Sequence, residues 1–319
     1  MAIGEAAPGE GEGVTPEWAV LLMAYGGPDR LEDIEPFLLD IRGGRPTSAE
    51  LVEEVRGRYA QIGGGSPLLE ITRAQASALE ARLNRSGRRF RVYVGMRHWH
   101  PYIGPVVQQL ADEGSRRVVA LCLAPHYSRM SIGAYFRKAR EAFEAAGGGF
   151  DVRWVEKWGD HPRFLDALAA NVRRGLEKFE AEDRSRVRVV FTAHSLPARL
   201  IAEGDPYDRQ LRATAAAVAR RVPGIEWEFS YQSAGAGGVD WLGPQIEERV
   251  VELAEAGYRH LLVAPVGFVA DHVEILFDLD IEARRAAAGA GARLERTDSM
   301  NDSPPFIEAL AQIVLEAAS

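Results

Sequence analysis

The sequence predicts an α/β protein with open parallel sheets flanked by helices. Short apolar segments alternate with longer amphipathic stretches along most of the chain, and this alternation indicates βαβ units. Several of the apolar segments are nearly continuous, which is typical of parallel strands covered on both faces. The segments form two clusters of about four, divided near Glu156–Asp160, and therefore predict two similar domains.

Apolar segments predict the strands, and the amphipathic stretches between them predict the helices. The strands are expected at Trp18–Tyr25, Phe90–Met96, Val118–Pro125, Phe150–Lys157, Val187–Ala193, Ile225–Gln232 and His260–Gly267. The helices are expected at Leu69–Asn84, Met130–Ala145, His161–Ala181, Asp205–Arg221, Gly243–Ala256 and His272–Ala288. Phe306–Ala318 is predicted to be a closing helix that packs back on the first domain.

These elements predict where the domains begin and end. We expect a disordered tail over residues 1–15, which are rich in Gly, Glu and Ala. The first domain is expected over residues 16–155 plus 299–319, and the second over residues 156–298.

Composition excludes several classes of protein. The chain has 319 residues, 46% of them hydrophobic and 26% charged, as expected of a soluble globular protein with domains of about 150 residues. A net charge of −8 argues against nucleic acid as the main partner. The longest apolar runs fall far short of the roughly 20 residues of a membrane helix. The first residues lack Lys, Arg and an apolar core, so we expect no signal peptide, no integral membrane contact and a cytoplasmic protein.

The use of cysteine limits the cofactors. Cys122 is the single cysteine, so the chain forms no intramolecular disulfide, no zinc site built on cysteines and no cysteine-ligated iron–sulfur cluster. Its position within a predicted strand indicates a small buried hydrophobic side chain.

Polar motifs follow the predicted strands. AYGGP follows the first strand, GMRHWHP the second and APHYS the third, while FTAHSLP, YQSAG and APVGFVADHVE follow later strands. Ligands of open α/β sheets bind beyond the carboxyl ends of the strands. The sequence therefore predicts a functional site at this edge.

His194 is a candidate functional residue because it lies in FTAHSLP, directly after an apolar strand. Imidazole accepts protons near neutral pH and binds divalent transition metals. The alternative is a histidine that only satisfies backbone groups in a tight turn. Ser195 beside it does not indicate a hydrolase, since the GxSxG elbow is absent.

Glu274, Asp278 and Glu282 form a row of carboxylates at steps of four along one face of a predicted helix. Like charges at this spacing repel, so the row is either a solvated face or a path for a cation that ends near Asp271 and His272. A site made of imidazole and carboxylate groups suits Fe2+, Mn2+ or Zn2+, and the sequence does not choose among them.

Tyr25 ends the first strand and is either an aromatic cap on the core or a ligand contact. Arg42, Arg45 and Arg58, with Tyr59, lie on either side of IRGGRPTSAE. Arginine suits bidentate recognition of carboxylates, so these residues favour an anionic ligand, with surface salt bridges as the alternative.

The remaining histidines near the strand ends are interpreted as structural. His98 and His100 flank a tryptophan at a spacing that does not suit one metal on a helix, and a turn is the default interpretation. His126 and His161 are likewise expected to serve the structure.

Together the motifs AYGGP, RYAQIGGGSPL, APHYS, FTAHSLP with GDPY downstream, YQSAG with WLGP, and PVGFVADHVEILFDLD closely resemble the ferrochelatase family. The resemblance is collinear from about Trp18 to the C-terminal helix. The chain is most similar to the soluble bacterial branch that inserts iron into coproporphyrin III. That branch has a tyrosine at the position of Tyr25, where the protoporphyrin-using branch typically reads NLGTP.

The resemblance implies two Rossmann-like domains, each a four-stranded parallel sheet flanked by helices, with a porphyrin cleft between them. It implies that His194 and Glu274 face the metal and that Tyr25 can ligate iron from the opposite porphyrin face. Asp278 and Glu282 would form an outer relay for the metal. The other positions that it implies contact the macrocycle and its carboxylates are Arg42, Arg58, Tyr59, Ser66 and Tyr135.

The implied substrates are Fe2+ and coproporphyrin III, with no permanently bound cofactor and a monomeric protein. Protoporphyrin IX as the substrate, another tetrapyrrole chelatase and a non-catalytic haem or metal carrier are the alternatives. The chain departs from its relatives at Arg97, where they often carry Lys. It also lacks the cluster cysteines and the apolar C-terminal element of some relatives.

Overall fold

The computed structural model describes residues 16–235 and 238–319. Within these residues the chain forms eight strands. They are β1 (Trp18–Ala24), β2 (Phe90–Met96), β3 (Arg117–Cys122), β4 (Asp151–Val155), β5 (Arg188–His194), β6 (Glu226–Gln232), β7 (His260–Pro265) and β8 (Arg293–Arg296). All pair in parallel, in the orders β2-β1-β3-β4 and β6-β5-β7-β8. Two four-stranded parallel sheets confirm the predicted α/β fold. The predicted disorder of residues 1–15 lies outside the described residues.

Strand β8 is the strand that the sequence did not predict. It reads Arg-Leu-Glu-Arg, and Leu294 is its one buried residue. A short edge strand of this composition has no apolar run, and its pairing with β7 is what makes it a strand.

Helices cover the faces of both sheets. They are α1 (Ile34–Ile41), α2 (Ala49–Gln61), α3 (Leu68–Leu83), α4 (Ile103–Asp112), α5 (Ile132–Ala145), α6 (Pro162–Leu176), α7 (Ala198–Ala202), α8 (Tyr207–Arg221), α9 (Ile246–Glu255), α10 (Val273–Leu276), α11 (Arg284–Gly289) and α12 (Pro304–Ala317). The sequence did not predict α1, α2, α4 and α7.

The stretch predicted as helical from His272 to Ala288 is not one α-helix. Helix α10 makes a single turn, and a π-helix over Asp278–Ala283 leads into α11. In the π-helix the amide of Glu282 donates to the carbonyl of Phe277, five residues back, at 3.0 Å. Such wide turns are frequent at functional sites, and this one carries two of the three predicted carboxylates.

The interior strands are buried along nearly their whole length, which explains their continuous apolar sequences. All seven residues of β1 are buried, β3 and β7 are buried except at their first residue, and β5 is buried except at its two ends. Cys122 is buried in this core, as predicted.

The closing helix α12 packs between elements of both halves of the chain. Phe306 on α12 lies 6.0 Å from the ring of Trp158 and 6.2 Å from that of Phe164. Arg82 on α3 holds Glu308 through two hydrogen bonds of 2.5 and 2.9 Å. Helix α12 thus contacts both halves, and the assignment of residues 299–319 to the first domain stays a prediction.

Polar contacts join the loop after β3 to the second half of the chain. His126 Nε2 lies 2.8 Å from the hydroxyl of Thr214, and Ser128 donates to the buried carboxylate of Asp205 at 3.0 Å. His126 thus has the structural role that the sequence predicted.

Candidate active site

His194 and Glu274 meet at the carboxyl edge of the second sheet. His194 ends β5, and Glu274 lies in α10, which follows the neighbouring strand β7. The Nε2 atom of His194 lies 3.5 Å from Oε1 of Glu274. The two residues that the sequence singled out are therefore neighbours.

The hydrogen bonds of His194 fix its tautomer. Its Nδ1 atom contacts the backbone carbonyl of Ser195, which can only accept, so Nδ1 carries the proton. Nε2 of the neutral ring consequently presents a lone pair towards the carboxylate of Glu274. Two electron-pair donors that face each other form a site for a proton or a metal cation.

His272 lies on the other side of Glu274. Its Nε2 atom is 3.8 Å from Oε2 of Glu274, while Nδ1 donates to the carbonyl of Ala270 at 3.0 Å. Burial by itself raises the pKa of Glu274, but the positive charges that His194 and His272 carry when they are protonated outweigh it and hold that pKa below its usual value. For His272 burial lowers the pKa, and Glu274 outweighs this and leaves the pKa raised. The site favours an ionised carboxylate.

Asp278 is enclosed by protein. Its side chain is 5% exposed and accepts a hydrogen bond from the hydroxyl of Ser233. Burial and the charge of Glu274 raise the pKa of Asp278 to about 7. The solvated-face interpretation of the carboxylate row is therefore wrong at this position.

Arg58 is committed to carboxylates of the protein itself. It donates to Glu54 at 2.8 Å and lies 3.9 Å from Asp278. Its guanidinium also lies over the ring of Phe277, 5.4 Å from the centroid. It brings a positive charge to the carboxylate row.

Glu247 extends the row, and the sequence analysis missed it. It lies at the start of α9, which packs against the π-helix. Burial and then the charge of Glu282 raise the pKa of Glu247. Glu247 comes from another element, so no spacing within the predicted helix pointed to it.

Three tyrosines of the first half of the chain lie within electrostatic range of Glu274. Desolvation and then the charge of Glu274 raise the pKa of Tyr25 to about 12 and raise that of Tyr59 further. Burial raises the pKa of Tyr135, and Glu274 adds to this. Tyr59 and Tyr135 are buried, whereas Tyr25 is 40% exposed. The charge of Glu274 therefore acts on side chains of both halves of the chain.

Arg97 joins two of these tyrosines. Its guanidinium lies 6.0 Å from the ring centroid of Tyr25 and 5.3 Å from that of Tyr135. The other neighbour of Tyr25 is His98, whose ring centroid is 4.7 Å away and whose Nδ1 atom is 2.7 Å from Asp40. His98 is thus part of the wall around Tyr25 rather than only a turn residue.

Ser66 and Arg42 occupy the same half with different surroundings. Ser66 approaches the AYGGP turn so closely that a Cβ on Gly27 would lie 2.6 Å from its side chain. Arg42 follows α1 and is exposed, and its side chain makes no hydrogen bond or ion pair with another described residue. No side chain or carbonyl among the described residues therefore holds the Arg42 guanidinium.

Two buried side chains that the sequence analysis missed hold the central pair by its backbone. The hydroxyl of Tyr207 donates to the carbonyl of His194 at 3.1 Å, and the amide of Gln232 donates to the carbonyl of Glu274 at 2.7 Å. Both belong to motifs that the sequence analysis quoted, GDPY and YQSAG, and those motifs were the available signal.

The described residues contain neither a preformed cluster of metal ligands nor a helix suited to span a membrane. Within residues 16–235 and 238–319, no three His, Cys, Asp or Glu side chains are grouped so that they could hold a metal ion. Over the same residues, none of the helices combines the length and the apolar character needed to cross a membrane.

The sequence profile of the Ferrochelatase family matches residues 17–318. The chain belongs to the ferrochelatase family. Ferrochelatases insert a metal ion into a porphyrin, a lyase reaction of haem biosynthesis, and the resemblance inferred from the motifs is confirmed.

Individual relatives agree with this assignment. The chain is 42% identical to a ferrochelatase of Deinococcus radiodurans over 302 residues, covering 94% of this chain and 96% of that protein. It is 41% identical to a coproporphyrin III ferrochelatase of Geobacillus kaustophilus over 300 residues, covering 93% and 95%. The solved structure of SirB from Bacillus subtilis with Fe3+ is similar at a TM-score of 0.60 and 13% identity, covering 95% and 96%. The last likeness concerns the fold alone.

Proposed function

We propose that this protein inserts Fe2+ into coproporphyrin III. The observation that carries the proposal is the distance of 3.5 Å between Nε2 of His194 and the carboxylate of Glu274, whose charge also raises the pKa of Tyr25 in the other half. Relatives named coproporphyrin III ferrochelatase, at 41% and 39% identity, support the choice of porphyrin. Tyr25 in the first-strand motif supports it as well.

Iron insertion requires that two pyrrole N–H groups lose their protons as one Fe2+ enters. His194 accepts one pyrrole proton at Nε2, because its Nδ1–H is already committed to the carbonyl of Ser195. It passes that proton to solvent, to which its side chain is 34% exposed, and then accepts the second. Glu274 stabilises the imidazolium that forms, and its ionised carboxylate attracts the incoming cation. Asp278 and Glu282 form the path along which the cation arrives.

The porphyrin lies between the two halves of the site. Tyr25 faces it from the side opposite His194, and Tyr59, Ser66 and Tyr135 line that same side. Arg42 binds a propionate, since its guanidinium has no partner among the described residues. Arg58 serves both the porphyrin carboxylates and the carboxylate row, with Asp278 at 3.9 Å. Binding the macrocycle bent would expose the nitrogen lone pairs, with the strain supplied by these remote contacts.

An anaerobic assay with Fe2+ and either coproporphyrin III or protoporphyrin IX tests the proposal. We expect multiple turnovers, and a higher kcat/KM for coproporphyrin III because its additional carboxylates match the arginines at the cleft. A preference for protoporphyrin IX would overturn the choice of porphyrin and leave the family activity intact. A single stoichiometric binding event without turnover would instead indicate a carrier.

A further inference from the structure

Two acidic residues lie in the chain on either side of Glu274 and Asp278 and do not face the proposed cation path. Asp271 precedes Glu274, and Asp280 lies in the π-helix beyond Asp278. Their side chains are each 23% exposed. Ionised carboxylates that lose this much solvent need compensating positive charge or hydrogen-bond donors.

Arg296 at the end of β8 supplies charge to both. Its Nε and Nη2 atoms donate to the two carboxylate oxygens of Asp280, each at 2.9 Å. Its Nη2 atom also lies 3.4 Å from Oδ1 of Asp271. The remaining nitrogen, Nη1, donates to the carbonyl of Thr297 at 3.0 Å and to the hydroxyl of Ser299 at 3.1 Å.

Asp271 also forms hydrogen bonds with residues other than Arg296. Ser299 donates to Asp271 at 2.6 Å, and Asn301 donates to it at 2.9 Å. The side-chain oxygen of Asn301 also accepts the backbone amide of Asp271 at 2.9 Å. Asn301 has a positive φ of 41°, a conformation that asparagine adopts more readily than most residues. Three side chains therefore hold the carboxylate of Asp271, and the expectation that the cation path ends near Asp271 and His272 stays a prediction.

The segment between Asp271 and Asp280 has little helical stability of its own. Helix α10 is one turn of four residues, and the π-helix that follows has six residues. A single turn is unfavourable to nucleate, and π-helical geometry is rare outside functional sites. The positions of Glu274 and Asp278 therefore depend on contacts made by the flanking residues.

We propose that Arg296 is a positioning residue for metal insertion. It binds Asp271 and Asp280, and this keeps the carboxylate of Glu274 next to the imidazole of His194. The inference rests on the proposed function of Glu274. Arg296 is 12% exposed, and its planar fork engages Asp280 with two parallel hydrogen bonds, a geometry that lysine cannot reproduce. Arg296 acts through the segment that it holds and not by contact with a substrate.

The test compares Arg296→Lys with Arg293→Lys. Arg293 lies on the same strand and pairs with Glu295 at 3.0 Å, but its side chain is 47% exposed and it contacts neither Asp271 nor Asp280. We expect Arg296→Lys to lower kcat/KM for Fe2+ by about 10-fold, as is typical for outer-shell partners of metal-binding residues. The KM for coproporphyrin III should stay within about twofold, because the tyrosines that line its site belong to the other half.

A second readout uses the metal alone. Zn2+ titrated calorimetrically into the full-length protein without porphyrin should bind about 10-fold more weakly to Arg296→Lys than to wild type, with Glu274→Gln as the reference for loss of the site. This titration does not depend on whether the wild type turns over, so it separates failure of this inference from failure of the proposed function. Asp280→Asn breaks the same pair from the other side and should give an intermediate loss, even if Arg296→Lys does not fold.

Wild-type Zn2+ affinity and wild-type Fe2+ kinetics in both variants would overturn the inference. It would also be overturned by equal losses for iron and porphyrin accompanied by a lower Tm, since these indicate general destabilisation. A Zn2+ titration that Glu274→Gln leaves unchanged would instead count against the proposed role of Glu274 in metal binding.

Discussion

The imidazole of His194 and the carboxylate of Glu274 approach to 3.5 Å, although each comes from the end of a different strand of the second sheet. Strands β5 and β7 are neighbours in that sheet, so the segments after them meet at its carboxyl edge. The pair presents a lone pair and an ionised oxygen to the same small volume. Substitutions within and around this pair can separate the roles of its members.

Replacing His194 with alanine should reduce iron insertion by at least about 100-fold, because the group that accepts the pyrrole proton is lost. Porphyrin binding, followed by fluorescence, should stay within about threefold of wild type. His260→Ala is the control, since His260 begins β7 at the opposite end of the sheet. Near-normal turnover of His194→Ala would remove His194 from the mechanism.

Tyr25→Phe should change the visible spectrum of the iron porphyrin product more than it changes protein stability. In the proposed function the hydroxyl of Tyr25 is the oxygen that would ligate iron from the side opposite His194. Tyr258→Phe removes a hydroxyl near Arg188, at the other end of the sheet, and serves as the control. An identical product spectrum in Tyr25→Phe and wild type would contradict axial ligation by Tyr25.

Asp278→Asn should stabilise the protein increasingly as the pH rises. The pKa of Asp278 is raised from its usual value to about 7, so the folded protein retains a proton on this group between about pH 4 and 7 that the unfolded chain releases. The stabilising contribution of the wild-type side chain is present at low pH and is lost as the pH rises through 7. Chemical denaturation at about pH 4.5, 6 and 8, which together span this window, measures the difference in the free energy of unfolding between wild type and Asp278→Asn. A constant difference between wild type and Asp278→Asn at all three values would contradict the raised pKa.

His126 should make the protein sensitive to acid. Burial lowers the pKa of His126 to about 3, so the unfolded chain takes up a proton below about pH 6.5 that the folded protein refuses. Stability contributed by the neutral imidazole is lost as the pH falls from that point. The free energy of unfolding of His126→Gln should therefore fall less between pH 7 and pH 5 than that of wild type. His100→Gln, at an exposed position, is the control, and parallel curves for His126→Gln and wild type would refute the prediction.

Gly27→Ala should weaken porphyrin binding several-fold. The added Cβ would lie 2.6 Å from the side chain of Ser66, which must then move away from the turn that carries Tyr25. The measurement is the KM for coproporphyrin III. Gly57→Ala is the matched control, because it adds a methyl group to α2 where nothing lies within 4 Å. An unchanged KM in Gly27→Ala would show that Ser66 is not a porphyrin contact.

The sequence was most informative where burial is uniform. Strands such as β1 are apolar throughout because both faces are covered, and their positions were predicted to within a few residues. It failed for β8, whose four residues include two arginines and whose existence depends on pairing with β7. It also missed the π-helix, because the same residues read at steps of four satisfy an α-helix equally well.

The sequence by itself determined the two-sheet α/β fold, the strand ends that carry the motifs, and the identities of His194 and Glu274 as candidates. Only the tertiary structure decided that Asp278 is enclosed, that Arg58 is already paired, and that Gln232, Tyr207 and Arg296 hold the site from other elements. The physical reason is that burial along a strand leaves a periodic pattern in the chain, whereas hydrogen bonds and charge pairs between distant elements depend on where folding brings them together.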